Sequence, residues 1–321
     1  MKKSKFIILI AVIVIISIIS FMVYDFFGNK STEQTNVYEY NIEDLKQIDS
    51  SLVKYSEIQQ IKPNIEGIKA LAIDKNDNLY ISGSNKILIY NKDANLLKEF
   101  THGKEVLSMT ISPDSEIYLG ARDHIEIWNK EGNLINSWKV LNEKVLITSI
   151  VVTDSSVFVA DAGNKIVYHY NLKGEFLNEI GRKDSIAEIP GFIIPSPYFD
   201  LAINSNEELW VANPGRHSFE SYTPEGRLIS SWERTSMEID GFSGCCNPSH
   251  FAFLSDGSYV TSEKGIVRIK IHNQAGDFKC VVATPNQFDD DTKGLDLAVD
   301  SKDRIFVLDP KKVLIRIFGR K

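Results

Sequence analysis

The chain has 321 residues, of which 43% are hydrophobic, 10% aromatic and 25% charged. That balance is close to a globular average and excludes both wholesale disorder and a polytopic membrane bundle, while the length allows one large domain or two ordinary ones. Net charge is −7, and beyond residue 30 the chain carries 32 basic against 42 acidic side chains, a surface that repels phosphate backbones and disfavours nucleic acid as a partner.

Met1–Lys5 supplies three lysines, and Phe6–Val23 follows with 18 residues free of charge, broken only by Ser17 and Ser20. As a helix that run reaches about 27 Å, enough for a bilayer core. The lysines precede it and Asp25 follows, so residues 1–5 are expected in the cytoplasm, 6–24 as a single-pass signal anchor and the rest outside the cytoplasm, periplasmic or extracellular. A cleaved secretory signal shares the pattern. However, the stretch ends Phe21-Met22-Val23-Tyr24 without a small-residue cleavage site, and no cysteine follows it to carry a lipid. Residues 25–50 are largely polar and read as a linker.

From residue 51 onward the chain repeats. Six segments share a short apolar strand, a turn rich in Asp, Asn, Ser or Gly, and a second strand: Ala70–Ser82, Ser108–Gly120, Ser149–Ala160, Asp200–Ala212, His250–Thr261 and Asp296–Leu308. Their spacing averages about 45 residues, the length of a four-stranded propeller blade. Third strands recur at Ile87–Tyr90, Ile125–Trp128, Ile166–Tyr170, Val267–Ile271 and Leu314–Phe318, and fourth strands follow a turn carrying Gly132, Gly174, Gly226 or Gly276. The last blade stops after its third strand, and a ring must close to remove its edges. The segment 52–61 is therefore predicted to supply the missing outer strand. The fold class is all-β, a six-bladed β-propeller over 51–321 preceded by one transmembrane helix.

The run Ala72-Ile-Asp-Lys-Asn-Asp-Asn-Leu-Tyr-Ile81, with Ile87–Leu97 behind it, resembles the NHL repeat, as does Leu297–Leu308. The resemblance covers roughly 63–321 and implies a six-bladed propeller. It departs from the family where the usual Gly ahead of the apolar strand is Asp200, His250 or Asp296. Propellers of this kind serve as scaffolds, peptide or RNA binders, lyases and lactonases, so the resemblance implies a fold rather than an activity.

In a propeller the first strand of each blade lines the channel and starts at one rim. The rim candidates for ligand binding are Ser108, Ser149, Asp200, His250 and Asp296, with Ala70 in the first blade. Two carboxylates and an imidazole are suitable donors for a divalent cation; rim polar groups that bind only channel water are the plainer account. A second feature is Gly241-Phe-Ser-Gly-Cys-Cys-Asn-Pro-Ser-His250. Cys245 and Cys246 are compatible with a strained vicinal disulfide, with a structural turn, or with a zinc- or copper-type site completed by His250; at the carboxylate rim the divalent cation is calcium, zinc or copper. Cys280, on an outer strand, is too far to pair with either. The loop 183–197 is apolar enough to cover the mouth or meet a partner, and Asp289-Asp290-Asp291 is either a solvated acidic loop or a calcium recruiter. No nucleophile elbow, phosphate-binding loop or zinc-protease motif is present.

Two readings follow. One is a membrane-anchored extracytoplasmic propeller that binds a protein or small molecule on its rim face. The other is a metal-dependent lyase- or lactonase-like enzyme using Asp200, His250 and Asp296.

Overall fold

The computed structural model describes residues 2–28, 41–139, 144–184 and 190–321; the expected linker residues 29–40 and the loop residues 185–189 lie outside these. The chain forms two compact units, Met1–Asn41 and Ile42–Lys321. In the first, Lys2–Gly28 is one α-helix of 27 residues. Among the described residues no helix is long and apolar enough to cross a membrane.

The second unit is a six-bladed β-propeller, six four-stranded antiparallel sheets in which each blade runs from an inner to an outer strand in chain order. The sixth blade alone breaks that order: its outer strand is Tyr55–Ile61, paired antiparallel with Leu314–Arg320 from the far end of the chain. The seam is reinforced by a bidentate pair, Arg316 Nη2 to Glu57 Oε2 at 2.5 Å and Nε to Oε1 at 3.2 Å.

The turns explain why Asp and Asn recur in the repeat. Asp74 Oδ1 accepts from the backbone N–H of Asn76 and Asn78, and Asp300 does the same for Lys302 and Arg304. Asn91, Asn171 and Asn273 cap the hairpins before the fourth strands in the same way. These side-chain loops hold the tight turn without a neighbouring strand.

Apolar side chains pack between blades rather than within one. Ile61, Phe306, Leu308, Ile315 and Ile317 of the sixth blade meet Leu71, Leu79, Ile81 and Leu88 of the first, and each of the other five junctions has its own cluster. Because every junction contributes, the ring is stable as a closed circle and each blade is positioned by both neighbours.

One expectation needs correcting: the third strand of the fifth blade begins at Ile269, not Val267; Arg268, just ahead of it, is buried and bonds Glu263 at 2.8 Å. The described part of the apolar loop is divided: Phe192 and Ile194 are each 6% exposed and pack with Phe158, Phe199 and Tyr222, while Pro190, Ile193, Pro195 and Pro197 are exposed.

Candidate functional site

The inner strands enclose a channel of about 300 Å³, with Ser108, Ser149, Asp200, His250 and Asp296 among the residues lining it. Each starts or nearly starts the inner strand of its blade, so the pleat turns its side chain toward the axis.

The rim carboxylates also hold the ring together. Asp296 Oδ2 accepts from Leu71 N–H of the next blade at 2.9 Å, and Asp200 Oδ2 accepts from Phe251 N–H of the next blade at 2.9 Å. Their other oxygens accept from the residue that follows them, Leu297 and Leu201, at 2.9 and 3.0 Å. Ser149 Oγ takes Leu201 N–H at 3.1 Å. Ser108 Oγ is buried without a partner, close under Gly120. Half of the rim positions therefore form a belt: Ser149, Asp200 and Asp296 each receive an N–H from the start of the next blade's inner strand, which fixes both carboxylates rigidly.

Between them lies His250, its side chain 17% exposed, with Nδ1 at 3.6 Å from Asp200 Oδ2 and 3.7 Å from Asp296 Oδ1. These are ion-pair rather than hydrogen-bond distances, and Nδ1 is buried without a hydrogen-bond partner. Burial opposes protonation of the ring, but the pull of Asp200 and then of Asp296 outweighs it and raises the His250 pKa above its ordinary value. Burial pushes the Asp296 carboxyl up to about 6, with the nearby Asp200 charge adding to the shift and His250 working against it. The mouth thus changes charge near neutrality.

The metal alternatives find no matching geometry. Among the described residues no group of three or more His, Cys, Asp and Glu is placed to hold a metal ion, so neither the Asp200–His250–Asp296 set nor the Cys245–Cys246–His250 set forms a donor cage. Cys245, Cys246 and Cys280 are free thiols, and the first two have sulfurs 3.1 Å apart. Cys280 sits on the outer strand Phe278–Ala283 of the fifth blade. The Asp289–Asp291 loop is engaged with lysines: Asp289 pairs with Lys312 at 3.1 Å and Asp290 with Lys46 at 3.4 Å.

Three residues beside the site escape a sequence reading. Tyr198 stands edge-on to the His250 ring with centroids 5.8 Å apart. Lys264 Nζ lies 5.0 Å from the Tyr198 ring centre and donates to Ser196 Oγ at 3.2 Å. They arrive from loops of different blades, with 68 residues between Ser196 and Lys264, so no local spacing marks them. Glu263 is likewise hidden: with Arg268 at 2.8 Å and Lys270 at 2.9 Å it forms a fully buried ionic cluster. The two cations in turn donate to backbone carbonyls at 238–241, fastening the loop that leads to Cys245. The only advance sign is an Arg-x-Lys-x-His alternation on an inner face.

No family model matches the chain, and no curated protein matches it. Among solved structures it is similar to virginiamycin B lyase from Staphylococcus aureus, with 13% identity, 84% of this chain and 100% of that one covered, and a TM-score of 0.59. It is also similar to a streptogramin B lyase at 12% identity, 79% of each chain and a TM-score of 0.54. A third is a catalytically inactive histidine-to-alanine variant of the Staphylococcus aureus lyase with quinupristin, at 14% identity, 81% and 83% coverage and a TM-score of 0.54. With 1066 matching chains, the likeness establishes the six-bladed propeller and selects no activity.

Proposed function

We propose that the chain is a binding module, anchored through residues 6–24 with its propeller outside the cytoplasm, whose channel mouth receives a cationic group. The group is an amine or guanidinium on a small molecule or on a protein loop. The observation that carries this reading is the rim belt. Asp200 and Asp296 are held by backbone N–H donors on either side of His250, so two preorganised carboxylates face one opening and no reorganisation is needed on binding. The charge-free run behind three lysines supports the anchor, and the blade sequences Ala72–Ile81 and Leu297–Leu308 support NHL-type ancestry.

A second reading is a lyase, favoured by the neighbouring lyase folds, one of which is inactive when a histidine is changed to alanine; here His250 would be the acid–base group. One experiment addresses both. The full-length chain is recovered from alkali-washed membranes into detergent and titrated with a panel of primary amines, guanidines and size-matched carboxylates, followed through the His250 ring resonance. Cations that move the resonance while carboxylates do not support the module, and the reverse order sinks it. Quinupristin is then incubated with the chain. A cleavage product lost in His250→Ala would replace the module with the lyase, and release of the chain by the alkaline wash would remove the anchor.

A further inference from the structure

A second cluster stands on the same rim, outside the channel. Gly244, at φ +72°, turns the chain so that Cys245 is exposed while Cys246 is 4% exposed. Four contacts hold this turn: His217 Nε2 lies 2.5 Å from the Gly244 carbonyl, Asn247 Nδ2 donates to the Ser243 carbonyl at 2.7 Å and to the Lys264 carbonyl at 3.0 Å, and Asn247 Oδ1 accepts from Lys264 N–H at 2.9 Å. Asn247 thereby holds the Lys264 backbone beside the turn, and the Lys264 ammonium donates to Ser196 Oγ at 3.2 Å. Burial opposes ionisation of Cys246, but bonds from Ser196, Cys245 and Lys264 together place its thiol below the ordinary range, while the neighbouring sulfur raises Cys245. The pair therefore holds one negative charge more readily than two.

We propose that Cys245 and Cys246 form a thiol–disulfide exchange site whose co-reactant is a low-molecular-weight disulfide. The two free sulfurs, 3.1 Å apart, need to approach by about 1 Å to bond. Adjacent α-carbons are about 3.8 Å apart across a trans peptide, shorter than the span of an ordinary disulfide, so the closed pair is strained and readily reopened. That suits reversible exchange and argues against a permanent staple. In the first step the proton shared by the pair moves to Cys246, and the Cys245 thiolate attacks one sulfur of R–S–S–R. A Cys245–S–S–R bond forms and RS⁻ leaves, taking up the Cys246 proton as RSH. In the second step the Cys246 thiolate, stabilised by Lys264 and Ser196, attacks the Cys245 sulfur. The intramolecular disulfide forms and the second RS⁻ leaves, protonated by solvent. The two cysteines lose two electrons and R–S–S–R gains them. This proposal stands apart from the channel reading, since no channel residue takes part.

The test uses the full-length chain in detergent, equilibrated with excess glutathione disulfide, denatured in a thiol-alkylating reagent and mapped by peptide mass. The wild type should protect Cys245 and Cys246 as an intramolecular bond, leave Cys280 alkylated, and recover both thiols on adding a dithiol. Cys246→Ser should stop at a glutathione adduct on Cys245. Cys245→Ser should react about tenfold more slowly, because the remaining sulfur is buried. Lys264→Met, with wild-type melting temperature as the control for folding, should slow ring closure about tenfold without slowing adduct formation in the Cys246→Ser background. A wild-type pair that stays fully alkylated, or that halts at the adduct, overturns the proposal, and so does a Cys245→Ser variant reacting at the wild-type rate.

Discussion

His250 sits between two carboxylates, and its proton sets the charge of the mouth. Because its folded pKa is raised, it stabilises the fold fully below the ordinary value near 6.5, and that contribution fades as pH rises through the folded value. Asp296 acts with the same sign. Its carboxyl moves from 3.8 to about 6, so the folded chain holds this proton better than the unfolded one; the stabilisation is complete below about 3.8 and lost by the time pH has passed about 6. At 1.4 kcal/mol per pH unit the shift is worth roughly 2 kcal/mol, discounted for a side chain that keeps 18% exposure. Asp296→Asn should therefore flatten the fall in urea stability between pH 4 and 6 and lower the His250 pKa seen by NMR titration. A His250 that titrates at or below 6.5 in the wild type would contradict this account of the mouth.

Among elements, the hairpins before the fourth strands of the third and fifth blades require glycine twice over, whereas the first blade accepts Ala94 at φ +60° in the same place. Gly174 has φ +82° and a β-carbon placed there would lie 2.6 Å from the Trp138 indole of the preceding blade; Gly276, at φ +83°, stands in the same relation to Trp232. Gly226 shares the conformation, at φ +91°, but its neighbour is Ile180, with the nearest side-chain atom at 3.7 Å. Alanine at Gly226 should cost about 1–2 kcal/mol for the left-handed backbone alone. Gly174→Ala should cost more and shift Trp138 fluorescence, with both read from urea unfolding; equal losses would show that the indole contact does not matter. These glycines and the Asx turns are local, which is why the six-blade ring is legible in the sequence. The third strand of the fourth blade, Ser218–Tyr222, is not. Its Glu220 is buried among Asn213, Ser218 and Tyr222, which satisfy the carboxylate, so the apolar pattern that marks the other blades is absent. At the site, rim positions follow from the repeat register, whereas Ser196, Tyr198 and Lys264 depend on loops of different blades and leave no periodic trace.

For the whole molecule, the question is what keeps a ring of weakly similar blades closed. Beyond the apolar junction and the Leu71 N–H bond to Asp296, two devices join the sixth blade to the start of the chain. The strand Tyr55–Ile61 covers the edge of Leu314–Arg320, and Asp77 of the first blade accepts from the N–H and hydroxyl of Ser301 in the sixth at 2.9 and 2.7 Å. Only the first device hides a row of backbone donors and acceptors, so its loss exposes an edge able to pair with another copy. Glu57 adds a titratable element: burial pushes its carboxyl up, but the bonds from Arg316 and Gln60 outweigh this and hold it below its usual range. The seam is then strongest above the ordinary carboxylate value of 4.5 and weakens as pH falls, opposite in sign to Asp296 and so separable from it. A chain beginning at residue 62 should melt well below one beginning at residue 42, lose cooperativity, and elute from a sizing column as a dimer or larger. A chain beginning at residue 42 should elute as the monomer and carry an acid-side loss of stability that Glu57→Gln removes. If the chain starting at 62 melts with its longer counterpart as a monomer, the blade junctions alone close the ring and the outer strand is dispensable.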